Sequence, residues 1–223
     1  MESIATNVGV VDKVAEILGT LGQHDTCSLN ELVAATGMAR PTAHRIATAL
    51  EAHGLVGRTS DGRFRLGSRI AELAARHAAA PLVVRAQPVL DALCARTGES
   101  AQLFVRDGKH RVCIAVAEPR AGLRDTVPLG AVLPIDKGSG GQVLRAFEAD
   151  APAPLATVRK RGWAESVGER AQGVASVSAP VFDANGGVVA AISVSGPIDR
   201  LGRTPGKHLA AQVVAAAEEL LQR

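Results

Sequence analysis

The spacing of apolar residues changes once along this chain, near residue 100. Before that point they recur every three or four residues; beyond it they alternate in long stretches. A helical period followed by a strand period, with helices set apart from strands, predicts an α+β protein and not an alternating α/β one. "VGVVDKVAEILGTLGQHD" places Val10, Val14, Ile17 and Leu21 on one helical stripe, with Gly22 as its stop. "CSLNELVAATG" opens a second helix with a capping box, Ser28 and Glu31 three residues apart. A short Gly37-Met38-Ala39 turn leads to a third helix, 41–53, with Pro41 in its first turn and Gly54 after it.

On that third helix Ala43, Ile46, Ala47 and Leu50 share one side. The other side carries His44, Arg45, Thr48 and Ala52, which is basic and low in bulk. Two short runs follow, 55–58 and 63–66, flanking Asp61-Gly62, which is a hairpin signal. Arg58, Arg63 and Arg65 are expected to project from it. Three helices and a basic hairpin in this order describe a winged helix-turn-helix. Residues 40–76 hold seven arginines against three acids and no lysine, although the whole chain carries only +3. A local basic surplus of this kind suits a phosphate backbone.

The B-DNA major groove admits one helix whose first side chains reach base edges. Arg40 and Arg45 suit guanine or phosphate, His44 and Thr48 an edge or a phosphate, and the N–H groups around Thr42 and Ala43 a phosphate. The wing arginines Arg58, Arg63 and Arg65 then lie on the backbone or in the minor groove. Double-stranded DNA is therefore the expected partner. A small amphipathic helix in an interaction module is the plainer alternative, and it leaves the three wing arginines unexplained. Aromatic residues make up 2% of the chain, which argues against base stacking on single strands.

"SRIAELAARHAAAP" predicts a connecting helix with Ile70, Leu73, Ala74 and His77 on one stripe, a dimer contact. "VVRAQPVLDALCARTG" continues as a helix to Gly98, with Pro88 as a kink or restart. "AQLFVRDGKHRVCIAVAEP" is a hairpin about Asp-Gly; "GLRDTVPLG" and "AVLPI" are further strands. "SGGQVLRAFEAD" and "PLATVRKRG" are helices, "VASVSAPVFDANGGVVAAISVSGP" a hairpin about Asn185-Gly186, and "GKHLAAQVVAAAEELLQR" the closing helix. The domains expected are residues 1–67, a winged helix-turn-helix; 68–80, a linker helix; and 81–223, an α+β domain with an antiparallel sheet.

In the last hairpin Ser176 and Ser178 share a face, and Ala191, Ser193 and Ser195 share one as well. Two strands thus present hydroxyls on a common side, which fits either a ligand pocket or a half-solvated sheet. "KGSGGQ" opens a helix after a Gly-rich turn, where N–H groups suit a carboxylate; GxxxxGK[ST] is missing, so nucleotide is not indicated. As a strand, "GLRDT" places Leu123 and Asp125 on one face, which suits the side chain and ammonium of an amino acid.

Cys27, Cys94 and Cys113 form no CxxC, and the six histidines are scattered, so neither a disulfide framework, a metal nor a cofactor is expected. There is no Ser-His-Asp or Cys-His constellation, which argues against an enzyme. No signal layout is present, and no apolar run approaches the roughly 20 residues of a membrane helix, so a cytoplasmic protein is expected.

"CSLNELVAATGMARPTAHRIATALEAHGLV" followed by "DGRFRLG" resembles the N-terminal half of the IclR family of bacterial transcription regulators. "RGWAESVGERAQGVASVSAPVFDANGGVVAAISVSGPIDRL" is similar to that family's C-terminal signature. The resemblance spans about residues 8 to 222. "SAQLFVRDGKHRVCIAVAE" and "GLRDTVPLG" are closest to an actinobacterial subgroup, the NdgR/LtbR-type regulators of leucine and other amino-acid biosynthesis. The family implies a winged helix-turn-helix, a linker helix, a GAF-like effector domain, and homodimers commonly assembled into tetramers. It implies effector contacts at Leu123, Asp125, Leu133, Ser139, Gly140, Ser166, Ser176, Ser193 and Ser195. Two departures stand out: Asp136-Lys137-Gly138 replaces a common His-Ala-Thr/Ser segment, and Ser176 stands where a cysteine is common. Both count against the usual small-oxoacid or aromatic-acid effectors. The expected effector is leucine or another amino acid, with regulation of biosynthetic genes; a catabolic operon responding to a small organic acid is the alternative.

Overall fold

A computed structural model describes residue 6 and residues 8–75 and 80–222. They fall into two compact units, residues 1–80 and 81–223. The expected linker stripe reaches His77, which lies outside the described residues; of it, Ile70 is half-buried and Leu73 exposed.

The first unit runs α1 (Gly9–Gln23), α2 (Leu29–Thr36), α3 (Arg40–Ala52), β1 (Val56–Arg58), β2 (Phe64–Leu66) and α4 (Ser68–Ala75). Ser28 accepts from the Glu31 N–H and Glu31 accepts from the Ser28 N–H, so α2 begins with the full capping box. Gly37 closes α2 at φ 66°, a conformation in which a side chain is strained. Ile17, Leu32, Ala47, Leu50 and Phe64 meet in one core, which fixes α3 by its inner face. β1 and β2 pair antiparallel, Val56 opposite Leu66. Phe64 also exchanges both backbone hydrogen bonds with Cys27, at 2.8 and 2.7 Å. A single bridge residue has no period, and the sequence does not announce it.

The second unit contains α5 (Ala80–Thr97), β3 (Ser100–Asp107), β4 (His110–Ala117), β5 (Val132–Pro134), α6 (Gly138–Ala146), α7 (Ala156–Arg161), β6 (Ala164–Val167), β7 (Val174–Phe182), β8 (Val188–Pro197), α8 (Ile198–Leu201) and α9 (Gly206–Gln222). Its six strands form one antiparallel sheet in the order β5-β4-β3-β8-β7-β6. Leu103, Val177, Ile192 and Val194 point to the face that packs with Leu90 of α5 and Val213 of α9. Phe104, Cys113 and Ala191 point to the other, with Val143 of α6 and Val158 of α7. α5 is one helix through Pro88 and neither ends nor restarts there.

One expectation fails here, and one strand goes unannounced. "GLRDTVPLG" is not a strand: residues 118–131 are irregular, with Gly122 at φ 91° and Gly130 at φ 80°, and Pro119 and Pro128 lack ladder donors. β6 was not foreseen, because four residues between loops are too short for alternation to register.

The first turn of α6 lies hard against the chain that leads into it. A Cβ on Gly141 would meet the Ile135 carbonyl oxygen at 2.1 Å, whereas one on Gly140 would meet nothing closer than 3.3 Å. Gly141→Ala should therefore cost this unit about 1–3 kcal/mol or more, and Gly140→Ala clearly less. Trp163 is the chain's one tryptophan and belongs to this unit, so its fluorescence in urea unfolding reads the difference. Equal midpoints for the two variants would contradict the close approach.

Candidate functional site

On α3 the side chains of His44, Arg45 and Thr48 are exposed, opposite buried Ala43, Ile46, Ala47 and Leu50. Among the described residues none of those three exposed side chains makes a hydrogen bond or ion pair. Arg45 and half-buried Thr42 also border an apolar groove of about 510 Å³ between α1 and α3, with Val10 and Val14 opposite. Arg40 differs: it donates to the Asn30 side chain of α2. The N–H groups of Thr42 and Ala43, expected to be open to phosphate, both donate to the Ala39 carbonyl, at 2.9 and 3.0 Å. Ala39 carries no capping side chain, so its carbonyl closes the first turn on itself.

The wing arginines do not all project. Arg58 lies 4.2 Å over the Phe64 ring and donates to Glu51 at the end of α3, 2.9 Å away. Arg63 donates to the Thr26 hydroxyl at 2.9 Å and to Glu31 at 2.7 Å, joining the wing to the capping box of α2. Only Arg65 is exposed with no hydrogen-bond or ion-pair partner among the described residues. The expected outward fan of three is corrected to one, because the other two find carboxylates on the helices beside them.

In the second unit the sheet register gathers the serines. Gln102 stands opposite Ser193, and Ser100 opposite Ser195, across β3 and β8. Ser166 stands opposite Ser176, and Ser178 opposite Ser193. The Ser139 hydroxyl from the start of α6 bonds those of Ser176 and Ser178, each at 2.7 Å, and Ser178 bonds Ser193 at 2.5 Å. Gln102 and Ser195 exchange bonds of 2.9 and 3.2 Å. Ser139, Ser166, Ser178, Ser193 and Ser195 are all buried. The hydroxyls of Ser139, Ser178, Ser193 and Ser195 are satisfied by these links, that of Ser100 has no partner, and a linked hydroxyl can rotate to a ligand instead.

Leu133 packs half-buried against the Phe104 cluster on this face of the sheet, and Gly140 is buried with its Cβ position 3.3 Å from the Ser193 hydroxyl. Leu123 is not part of it: its side chain is 73% exposed, and only its carbonyl is held, by Arg200 at 2.6 Å. Asp125 is buried but already paired with Arg170. The shared strand face expected for Leu123 and Asp125 does not exist, because no strand forms there.

Three participants escaped the sequence reading: Gln102, Arg111 and Arg170. Ser178 was legible, since it alternates with Ser176. Arg111 occupies an inward position of β4, two residues before buried Cys113, and is 2% exposed. Its guanidinium lies 5.3 Å from the Phe104 ring centroid. Burial, then the nearby Arg170 cation, pull its pKa down to about 10 against the opposing pull of Asp136. Among the described residues there is no His/Cys/Asp/Glu group that could hold a metal ion, and no helix long and apolar enough to cross a membrane.

This helix-turn-helix and hydroxyl-lined sheet match known families over nearly the whole chain. Residues 10–60 match the IclR helix-turn-helix domain, and residues 75–154 and 152–221 match the bacterial transcriptional regulator IclR C-terminal domain. The chain belongs to the IclR family. It is a DNA-binding transcriptional regulator and not an enzyme. The glycerol operon regulatory protein of Streptomyces griseus is 28% identical, over 97% of this chain and 94% of that one. The transcriptional repressor IclR of Escherichia coli is 24% identical, over 99% and 89%. The crystal structure of an IclR homolog complexed with 4-hydroxybenzoate, from Microbacterium hydrocarbonoxydans, superposes with a TM-score of 0.70 at 19% identity, covering 96% of this chain and 98% of that one.

The two kinds of wing arginine separate in experiment. Arg63→Ala should lower the protection of the Cys27 and Phe64 amides against hydrogen exchange, by about 1 kcal/mol for its partly exposed contacts. Arg65→Ala should leave that protection unchanged and reduce the salt dependence of DNA binding. The reverse pattern would refute the assignment. Glu31 adds a pH dependence. The Ser28 N–H, the Ser28 hydroxyl and then Arg63 hold its carboxyl below the usual 4.5. Its contribution is thus complete above that value and lost as pH falls through the lowered one. Protection of Cys27 and Phe64, corrected for intrinsic exchange, should fall in acid, and Glu31→Gln should remove that fall.

Proposed function

We propose that this regulator binds its operator as a homodimer in the cytoplasm, with α3 in the major groove and the wing beside it, under the control of a small organic acid. The observation that carries the DNA contact is the exposed, unpaired row His44, Arg45 and Thr48, directly opposite the buried face that fixes α3. Arg40, held on Asn30, extends that row at the N-terminal end, and Arg65 supplies the wing contact. Residues 1–67 act as the DNA-binding domain, 68–80 as linker and dimer contact, and 81–223 as the effector domain.

An amino-acid effector requires a carboxylate that meets its ammonium. Asp125, the residue cast for that part, is engaged by Arg170, and Leu123 faces away from the serines. Control of amino-acid biosynthesis therefore loses the contacts that suggested it. The acid-bound Microbacterium homolog and the glycerol operon regulator favour a catabolic operon. The contacts assigned to the effector are Ser139, Gly140, Ser166, Ser176, Ser193 and Ser195, with Leu133 against its apolar part.

Mapping of bound DNA across the source genome supplies the operator for the decisive test. Arg45→Ala should weaken specific binding by about 1–3 kcal/mol and relax the preference at one base pair of each half-site. An equal loss on operator and on random DNA would show that Arg45 contacts phosphate alone. A half-site bound as well as the full palindrome by a monomer would end the dimer proposal.

A further inference from the structure

We infer that Arg111 selects the charge of the effector: its unpaired Nε–H receives the carboxylate of a small organic anion that enters at the first turn of α6. This rests on the reading of residues 81–223 as the effector domain. The guanidinium is buried, yet among the described residues no carboxylate lies within ion-pair distance of it. Nη1 donates to the carbonyls of Pro134 and Lys137, the second at 2.6 Å, which accounts for a structural part of its role. Nε is sealed from solvent and has no acceptor. A buried cation whose charge and donor are both unanswered is costly unless an anion joins it.

The surroundings point the same way. The first turn of α6 is built to let this guanidinium approach. Side chains on Gly138, Gly140 or Gly141 would bring a Cβ to within 3.3, 3.6 and 3.0 Å of its Nη2, Nε and Nη1. The same position on Gly140 lies 3.3 Å from the Ser193 hydroxyl. A cationic donor, a hydroxyl and the N–H groups of a helix start therefore converge on one turn. Of the acids nearby, Asp136 is exposed and acts on Arg111 only from beyond ion-pair distance, and two others are already engaged. Asp125 holds Arg170, and Glu169 accepts from the Gly138 N–H at 2.9 Å and from Gln142. Because Nε has no solvent exposure, an anion reaches it only as this turn opens, so binding of charge is also a movement of α6.

The test is calorimetry on the full chain with matched probes: 4-hydroxybenzoate and 4-hydroxybenzamide, pyruvate and pyruvamide, together with leucine and glycerol. At least one acid should bind, and its amide should not. Arg111→Gln should weaken that acid roughly ten- to a hundredfold and abolish the preference for acid over amide. A purely structural arginine would weaken both alike and leave the preference intact, which would overturn the inference. So would an acid bound equally well by Arg111→Gln, amide binding equal to acid, a preference for leucine or glycerol, or no heat from any acid at millimolar concentration. If Arg111→Gln fails to fold, Arg111→Lys decides: it keeps the charge without Nε, should bind the acid measurably more weakly, and refutes the assignment if it matches the wild type. Operator binding by the ligand-free wild type is measured in parallel. Its absence would refute the regulator reading, whereas a negative ligand result beside intact operator binding refutes only the role of Arg111.

Discussion

The pairing of β3 with β8 is the contact on which the second unit depends. It joins two hairpins that lie some ninety residues apart in the chain, and it sits at the centre of the sheet. Its register places Gln102 against Ser193 and Leu103 against Ile192. A slip by one residue would turn the serines into the packing of α5 and α9 and turn Ile192 and Val194 toward α6. The apolar alternation on the α5/α9 side forbids that slip, because every second residue there is buried against Leu90, Leu93 and Val213. The hydroxyl-lined face is therefore held in place by the packing of the opposite face. The polar site contributes little to its own position.

The first unit is organised differently. Its core is small, and its polar edge does the joining. Thr26 and Glu31 accept from Arg63, Glu51 accepts from Arg58, and Asn30 accepts from Arg40, so α2, α3 and the wing are stitched together by arginines. Each of these bonds is exposed or half-exposed and individually weak. Together they set the angle of the wing to α3, which is the geometry a duplex requires. Positive charge in this unit is thus divided: some arginines order the domain, while Arg45 and Arg65 are exposed with no partner among the described residues, which is what the proposed DNA contact rests on.

What could be read in the sequence follows from what period and caps encode. Apolar spacing gave the inner face of α3, the capping box gave the start of α2, and alternation gave the common face of Ser176 and Ser193, because each depends only on neighbours in the chain. Arg58 and Arg63 were misjudged since their partners, Glu51 and Glu31, are seven and thirty-two residues away, and composition cannot tell a paired arginine from an open one. "GLRDTVPLG" resembled a strand by its apolar content, but Pro128 and two glycines with positive φ denied it a ladder. With the strand went the shared face of Leu123 and Asp125, and with that the argument for an ammonium site. The family resemblance supplied Ser139, Gly140 and Ser166, which no periodicity singles out.

Arg111 shows why charge is the hardest property to place from sequence. In "KHRVCIAVAE" it looks like one more surface cation beside a turn. Only the register of β4, with Arg111 across from Leu133 on β5, shows that it points inward. Only the glycines of α6 show how room for it is made: Gly138, at φ 78°, also needs glycine for its backbone, whereas Gly140 and Gly141 have no positive φ and serve by lacking side chains. The balance of the site then follows from which acids are committed. With Asp125 given to Arg170, Arg111 has no carboxylate within ion-pair distance among the described residues, and exposed Asp136 acts on it only from farther off. An amino acid brings a carboxylate and an ammonium together and leaves the net charge beside Arg111 unchanged, whereas an organic anion brings the carboxylate alone. The proposed choice of an anion over a zwitterion rests on that difference in net charge.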